Sequence, residues 1–216
     1  MTFRRDERDF RVFRKLVEDS SHRVGVFVGE SVIAQAWTYY EELRRWNRAV
    51  RLTGAEQMER FVPYHLVEAF WVATHFLEGC RAVADIGSGA GLPGLAAAIL
   101  KPEVSWYLLE SNLKKATFLE ETSRKLALPA QVVAGRAESW TGWPGVDRAF
   151  VRGLRLSEPL LHVLENHLVS LGCLCGAACF PPRDRWRVFR RETYPLAKAR
   201  FCVLAEPRRP PVPRGT

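Results

Sequence analysis

The stretch Asp85-Ile86-Gly87-Ser88-Gly89-Ala90-Gly91-Leu92-Pro93-Gly94 restricts the possible folds more than any other part of the chain. It follows a short apolar run, Ala82–Ile86, and leads into the helical pattern Leu92–Leu100. Glycines allow a sharp turn and a close approach to a ligand, and Pro93 suits a first helical turn because its missing N–H would be unpaired there. A glycine loop between strand and helix predicts an open α/β sheet with a ligand at the carboxyl ends of its strands, where the strand order reverses.

The rest of the chain agrees with a doubly wound α/β core. From Arg81 onward, short apolar runs alternate with helical ones: Val104–Leu109, Leu113–Leu126, Gln131–Val133, Ala149–Val151, Ser157–Ser170 and Cys173–Phe180. Such alternation predicts βαβ units and a mainly parallel sheet with helices on both faces. Ahead of it, Glu30–Arg48 places Ile33, Trp37, Tyr40, Leu43 and Trp46 at helical spacing. Phe10, Phe13, Leu16 and Val17 repeat the pattern weakly, and His65–Phe76 carries Leu66, Phe70, Ala73 and Phe76 on one side. The expected division is a helical cap over 1–78, a binding core over 79–206 and a basic, disordered Pro/Arg tail over 207–216.

Of the 216 residues 47% are hydrophobic, enough for one sizeable core. No apolar run approaches the roughly 20 residues of a membrane span, and Met1–Arg14 has none that could serve as a signal peptide, so a soluble, cytoplasmic protein without membrane partners is expected. Five cysteines without disulfide spacing fit a reducing compartment. Cys173, Cys175 and Cys179 lack further ligands nearby and read as core cysteines, so no metal is expected.

The net charge of +8 sits at the two ends. Residues 1–51 hold eleven basic and eight acidic side chains, 52–180 eleven and thirteen, and 181–216 ten and three. Such flanks would attract a polyanion around a nearly neutral centre, although a solvated basic end has the same composition.

A dinucleotide fingerprint would need a third glycine where Leu92 stands. The acidic-x-G-x-G-x-G pattern of Asp85, Gly87, Gly89 and Gly91 instead resembles motif I of class I methyltransferases, which implies S-adenosyl-L-methionine on the loop. Glu110 ends the second strand, where a carboxylate can accept hydrogen bonds from both ribose hydroxyls of an adenosine cofactor. Ala137-Glu138 falls where this fold grips adenine, or marks a surface glutamate at a helix start.

The ordered segments Trp46-Asn47-Arg48-Ala49-Val50-Arg51-Leu52-Thr53, His65-Leu66-Val67-Glu68 and Gly87–Gly94 resemble the bacterial 16S rRNA guanine-N7 methyltransferase G family, also called glucose-inhibited division protein B. The likeness runs from about Ser31 to Arg155 and resumes near Arg200–Ala205. It implies a class I methyltransferase Rossmann-like fold, cofactor contacts at Gly87, Leu92, Ala137, Glu138 and Arg152, and small-subunit ribosomal RNA as partner, free or within the ribosomal particle, met by a monomer. The chain departs from the family's residues at Arg51, at Glu68-Ala69 and at Gly153. It also has Phe180-Pro181-Pro182 where a lysine-glycine pair is expected after the fifth strand.

Guanine N7 carries an in-plane lone pair, so its methylation requires alignment and exclusion of water rather than a catalytic base. His65 and Arg152 are the candidates beside the reacting base. His65 could bond a base edge or hold the helices to the core. Arg152 could meet the cofactor carboxylate, an RNA phosphate or a structural carboxylate. Lys114 and Lys115 read as a solvated helix start. Methylation of a protein or small molecule, and cofactor binding without turnover, are the competing functions.

Overall fold

A computed structural model describes residues 2–54, 56–167, 170–174 and 180–208. Helices α1 (Thr2–Arg23), α2 (Glu30–Asn47), α3 (Met58–Phe61) and α4 (Val67–His75) come first, with a π turn over Val62–Leu66 joining α3 to α4. Strands β1 (Ala82–Ile86), β2 (Ser105–Glu110), β3 (Ala130–Ala134), β4 (Arg148–Arg152) and β5 (Ser170–Leu174) then alternate with helices α5 (Gly94–Leu100), α6 (Leu113–Lys125) and α7 (Glu158–His167). The hairpin β6 (Trp186–Thr193) and β7 (Phe201–Pro207) completes the described chain.

The seven strands form one sheet in the order β3-β2-β1-β4-β5-β7-β6, parallel from β1 to β5, with β7 antiparallel to both its neighbours. The expected class I methyltransferase arrangement is therefore present, and the order reverses between β1 and β4.

Side chains alternate across a strand, so β1 and β4 each feed two cores. Val83 and Phe150 join α1, α2, α4, α5 and α6 on one face, whereas Ala84, Ile86, Ala149 and Val151 join Leu160, Leu161 and Leu164 of α7 on the other. The N-terminal helices thus share a continuous core with the sheet. Trp37 meets Phe10 and Phe13 edge-on at ring distances of 5.6 and 5.1 Å, and Phe13, Ile33, Tyr40 and Leu43 are buried.

Several expected boundaries shift. The segment expected over His65–Phe76 begins at Met58 and carries Pro63 inside its π turn. The π turn lets Val67 N–H reach Val62, five residues back, so the helical path continues past a residue that cannot donate. The strand expected over Cys173–Phe180 is assigned only to Ser170–Leu174, because Cys175 and Cys179 lie outside the described residues. Strand β6 escaped the sequence reading because its Arg-rich run hides the period of two. Pro207 pairs with Trp186 as the last residue of β7, and the tail beyond Arg208 lies outside the described residues.

Candidate functional site

The glycine loop leaves β1 at the switch between β1 and β4, where parallel strands on either side diverge and open a crevice. Gly87, Gly89 and Gly91 all take positive φ. Gly91 is the most constrained, since at φ +85 an added Cβ would also lie 2.6 Å from Leu95 Cβ. Gly94 opens α5 pressed against the strand, where a Cβ would sit 2.6 Å from Asp85 Cβ.

Two carboxylates tie the loop down. Asp85 is buried and its Oδ2 accepts from Gly94 N–H at 2.9 Å. Burial pushes its carboxyl up to about 6, opposed by the Gly94 hydrogen bond and by Arg152. Its Oδ1 is buried without a hydrogen-bond partner among the described residues, an acceptor open to a donor that a ligand could bring. Glu110, also buried, accepts from Gly89 N–H through Oε2 and from Asn112 N–H through Oε1, both at 2.8 Å. Each oxygen has a second lone pair, so clamping the loop leaves room for hydroxyl donors. Tyr39 adds a third tie, donating its buried hydroxyl to Ala90 O at 2.6 Å. Nothing in the sequence separates Tyr39 from an ordinary core residue of α2.

Two cavities adjoin this loop and share Gly87. One of about 160 Å³ is bounded by Ile86, Gly87, Leu109, Ala137, Glu138 and Leu154. There Glu138 is half-buried and accepts from Ser157 Oγ at 3.1 Å. The second, of about 230 Å³, is bounded by Leu52, Thr53, His65, Ser88, Leu92 and Arg152 as well as Gly87 and Gly89. Asn47 shapes its outer wall: Oδ1 accepts from Leu52 N–H at 2.7 Å and Thr53 N–H at 3.0 Å, while Nδ2 donates to Thr53 O at 3.0 Å. The Trp-Asn pair in the sequence thus sets the path of the 48–53 loop.

His65 and Arg152 meet at the rim of the second cavity, with Arg152 Nη2 bonded to His65 Nδ1. Burial and the guanidinium groups of Arg152, Arg200 and Arg60 hold the imidazole down at about 3. A neutral ring that accepts at Nδ1 carries its proton on Nε2. The same Arg152 nitrogen lies 3.1 Å from Glu68 Oε2, and Arg200 Nη1 approaches that oxygen at 3.0 Å. Arg152 and Arg200 also donate to Tyr64 O, and Tyr194 donates to Pro63 O, so two π-turn carbonyls take side-chain donors. One carboxylate shared by two guanidinium groups leaves the rim positive.

Every candidate residue from the sequence therefore lies on the loop, in its two cavities or at this rim. Glu68, identified there only as a departure from the family, is the counter-ion of Arg152. Arg200 stands where the family likeness resumes, but nothing in the sequence assigns it a role in the site, because its contacts cross from the β6–β7 hairpin to Tyr64 O and Glu68. Among the described residues no cluster of His, Cys, Asp and Glu could hold a metal ion, and no helix is long and apolar enough to cross a membrane.

The fold is shared with solved structures, a methyltransferase among them. Mitomycin 7-O-methyltransferase MmcR superposes with a TM-score of 0.54 at 16% identity, covering 80% of this chain and 68% of that one. The PH0226 protein of Pyrococcus horikoshii OT3 gives 0.56 at 7% identity, covering 76% of this chain and 99% of its own. Sequence relatives are more specific. Ribosomal RNA small subunit methyltransferase G of Dichelobacter nodosus is 41% identical over 133 residues, and that of Chromobacterium violaceum 40% over 134. Each alignment covers 61% of this chain, and the chain spans 63% of each relative's length. The family profile described as rRNA small subunit methyltransferase G matches residues 32–175, which take in the 48–53 loop, the π turn, the glycine loop, Glu110, Ala137, Glu138 and Arg152. With fold, site and profile in agreement, the chain belongs to the rRNA small subunit methyltransferase G family.

Proposed function

We propose that this chain transfers a methyl group from S-adenosyl-L-methionine to N7 of a guanine in small-subunit ribosomal RNA. The observation that carries this reading is the pair of cavities meeting at Gly87, one walled by Ala137 and Glu138 and the other by His65 and Arg152. A nucleoside with an amino-acid arm has matching parts.

The residues fit that cofactor group by group. Glu110 keeps lone pairs for the ribose hydroxyls, and Ala137-Glu138 border the space for adenine. The unpartnered Asp85 Oδ1 suits a cationic ammonium, and the positive rim at Arg152 suits the carboxylate. When bound, the cofactor supplies an electrophilic methyl carbon. Everything else falls to the protein. Its walls exclude water and fix the angle of approach, which can account for a large part of a methyl-transfer barrier.

His65 acts as a neutral donor. With Nδ1 accepting from Arg152, its Nε2–H is available to an acceptor on the base edge, and its low basicity suits a reaction in which guanine N7 gives up no proton. The basic ends provide the attraction for an RNA backbone, and the same reading has the protein working in the cytoplasm as a monomer on ribosomal RNA or the ribosomal particle.

Mapping N7-methylguanine in small-subunit rRNA from cells with and without the gene tests the assignment. Loss of one modified position, restored by the purified protein and cofactor, supports it. An unchanged map overturns it.

A further inference from the structure

Strand β6 forms one end of the sheet, with β7 as its neighbour and no further strand beyond it among the described residues. A free sheet edge invites pairing with another chain, and its composition decides which partner it can accept. Here Arg187, Val188, Phe189 and Arg191 are exposed, followed across the hairpin by Arg208, while Trp186 alone of the strand is buried. A register shift between Val188 and Arg190 makes Phe189 the bulged residue, and it is 48% exposed. Bulges re-aim side chains, and this one turns an aromatic ring out among arginines.

The charges at this edge are only partly compensated. Arg187 pairs with Glu206, but among the described residues no carboxylate lies within ion-pair distance of Arg183, Arg191 or Arg208. Arg208 Nε donates to Arg183 O, which brings those two residues together at the start of the strand, and Arg191 lies over the Phe201 ring near its end. Antiparallel pairing of this edge with a second copy would set arginine opposite arginine, which is destabilising.

We propose that the β6 edge is a second RNA-docking surface, with Arg183, Arg191 and Arg208 on phosphates and Phe189 stacked on a base. This rests on the reading of the chain as an RNA methyltransferase. Three strand spacings, about 14 Å, separate β6 from β4, which ends in Arg152. The pairings Arg152↔Leu174, Leu174↔Cys202 and Cys202↔Glu192 put Arg191 at the cavity's end of the sheet, so an RNA segment that delivers one base to the cavity meets Arg191 first and then runs about 20 Å along the strand to Arg183 and Arg208.

The test compares the full chain with an Arg183→Ser/Arg191→Ser/Arg208→Ser triple variant and with Phe189→Ser and Phe189→Trp. Binding to a small-subunit rRNA fragment is measured over a series of salt concentrations, alongside cofactor affinity and methyl transfer. For the triple variant the slope of log affinity against log salt falls by about two, and affinity falls at least about tenfold at low salt. Its KM for RNA rises while kcat at saturating RNA and cofactor affinity hold. Phe189→Ser weakens binding about tenfold without changing the slope, and Phe189→Trp restores it. Equal slopes and affinities for the triple variant and the parent overturn the proposal. So does sedimentation showing a parent dimer that the triple variant dissolves, since the edge would then serve a second copy. Absence of methyl transfer by the parent, with the slope change intact, strikes the proposed reaction and leaves the docking surface standing.

Discussion

The two sides of Gly87 are held by different kinds of bond. On the loop side, Asp85 and Glu110 are fastened by backbone N–H groups of Gly94, Gly89 and Asn112, all within one βαβ unit. On the rim side, Glu68, Arg152, Arg200 and His65 hold one another side chain to side chain, drawn from a helix, a strand, a hairpin and a π turn. Backbone amides cannot be mutated away, so of the ties on the loop only the Tyr39 hydroxyl on Ala90 O depends on a side chain from a distant segment. The rim depends on long side chains whose charges must balance, so one substitution there reaches across the molecule.

The sharpest way to break this contrast is Glu68→Ala. It leaves two guanidinium groups facing each other without their buried carboxylate, and stability should fall by about 3–5 kcal/mol in urea denaturation. A loss below about 1 kcal/mol would mean that solvent already screens the pair.

Arg152→Ala comes next. It removes a charged donor at the rim, so cofactor affinity by calorimetry should fall about ten- to hundredfold, with RNA affinity nearly unchanged. Arg152→Lys should not restore it where the cofactor carboxylate takes two parallel N–H groups, because lysine keeps the charge but lacks the planar fork. If RNA affinity falls instead, Arg152 belongs to the RNA side.

On the loop side, Gly94→Ala should cost about 1–3 kcal/mol, since its Cβ would press on Asp85 and Leu108 at 2.6 Å. Cofactor affinity should drop with it as the loop shifts. Thermal melts and calorimetry on one preparation separate the two effects.

The smallest effect is in the pH dependence, where the two sides have opposite signs. Asp85 is held up at about 6, so its contribution is full below the ordinary aspartate range and is lost as pH rises toward 6. His65 is held down at about 3, so its contribution is full above about 6.5 and is lost as pH falls toward 3. Between pH 6 and 4 the two partly cancel in the parent. Relative to it, Asp85→Asn should lose stability faster on acidification over that window, and His65→Gln more slowly. Parallel urea titrations of all three proteins would show it, and superimposable curves would mean that neither group is held away from its ordinary range.

The sequence by itself determined what depends on neighbours along the chain. Strand, glycine loop and helix follow from Ala82–Ile86, three glycines at positive φ and Pro93, because turn geometry and side-chain period are local properties. Asp85 and Glu110 were legible for the same reason, each standing at the end of an apolar run that could only be a strand. Tertiary structure alone decided the rest. Glu68 became a counter-ion only when α4 and β4 met, and Arg200 entered the site only through the antiparallel return of β7. Strand β6 was hidden because side chains on both its faces are largely solvated, so no apolar alternation marks it. Contacts between distant segments are fixed by how two cores close on one sheet, and no short stretch of residues encodes that closure.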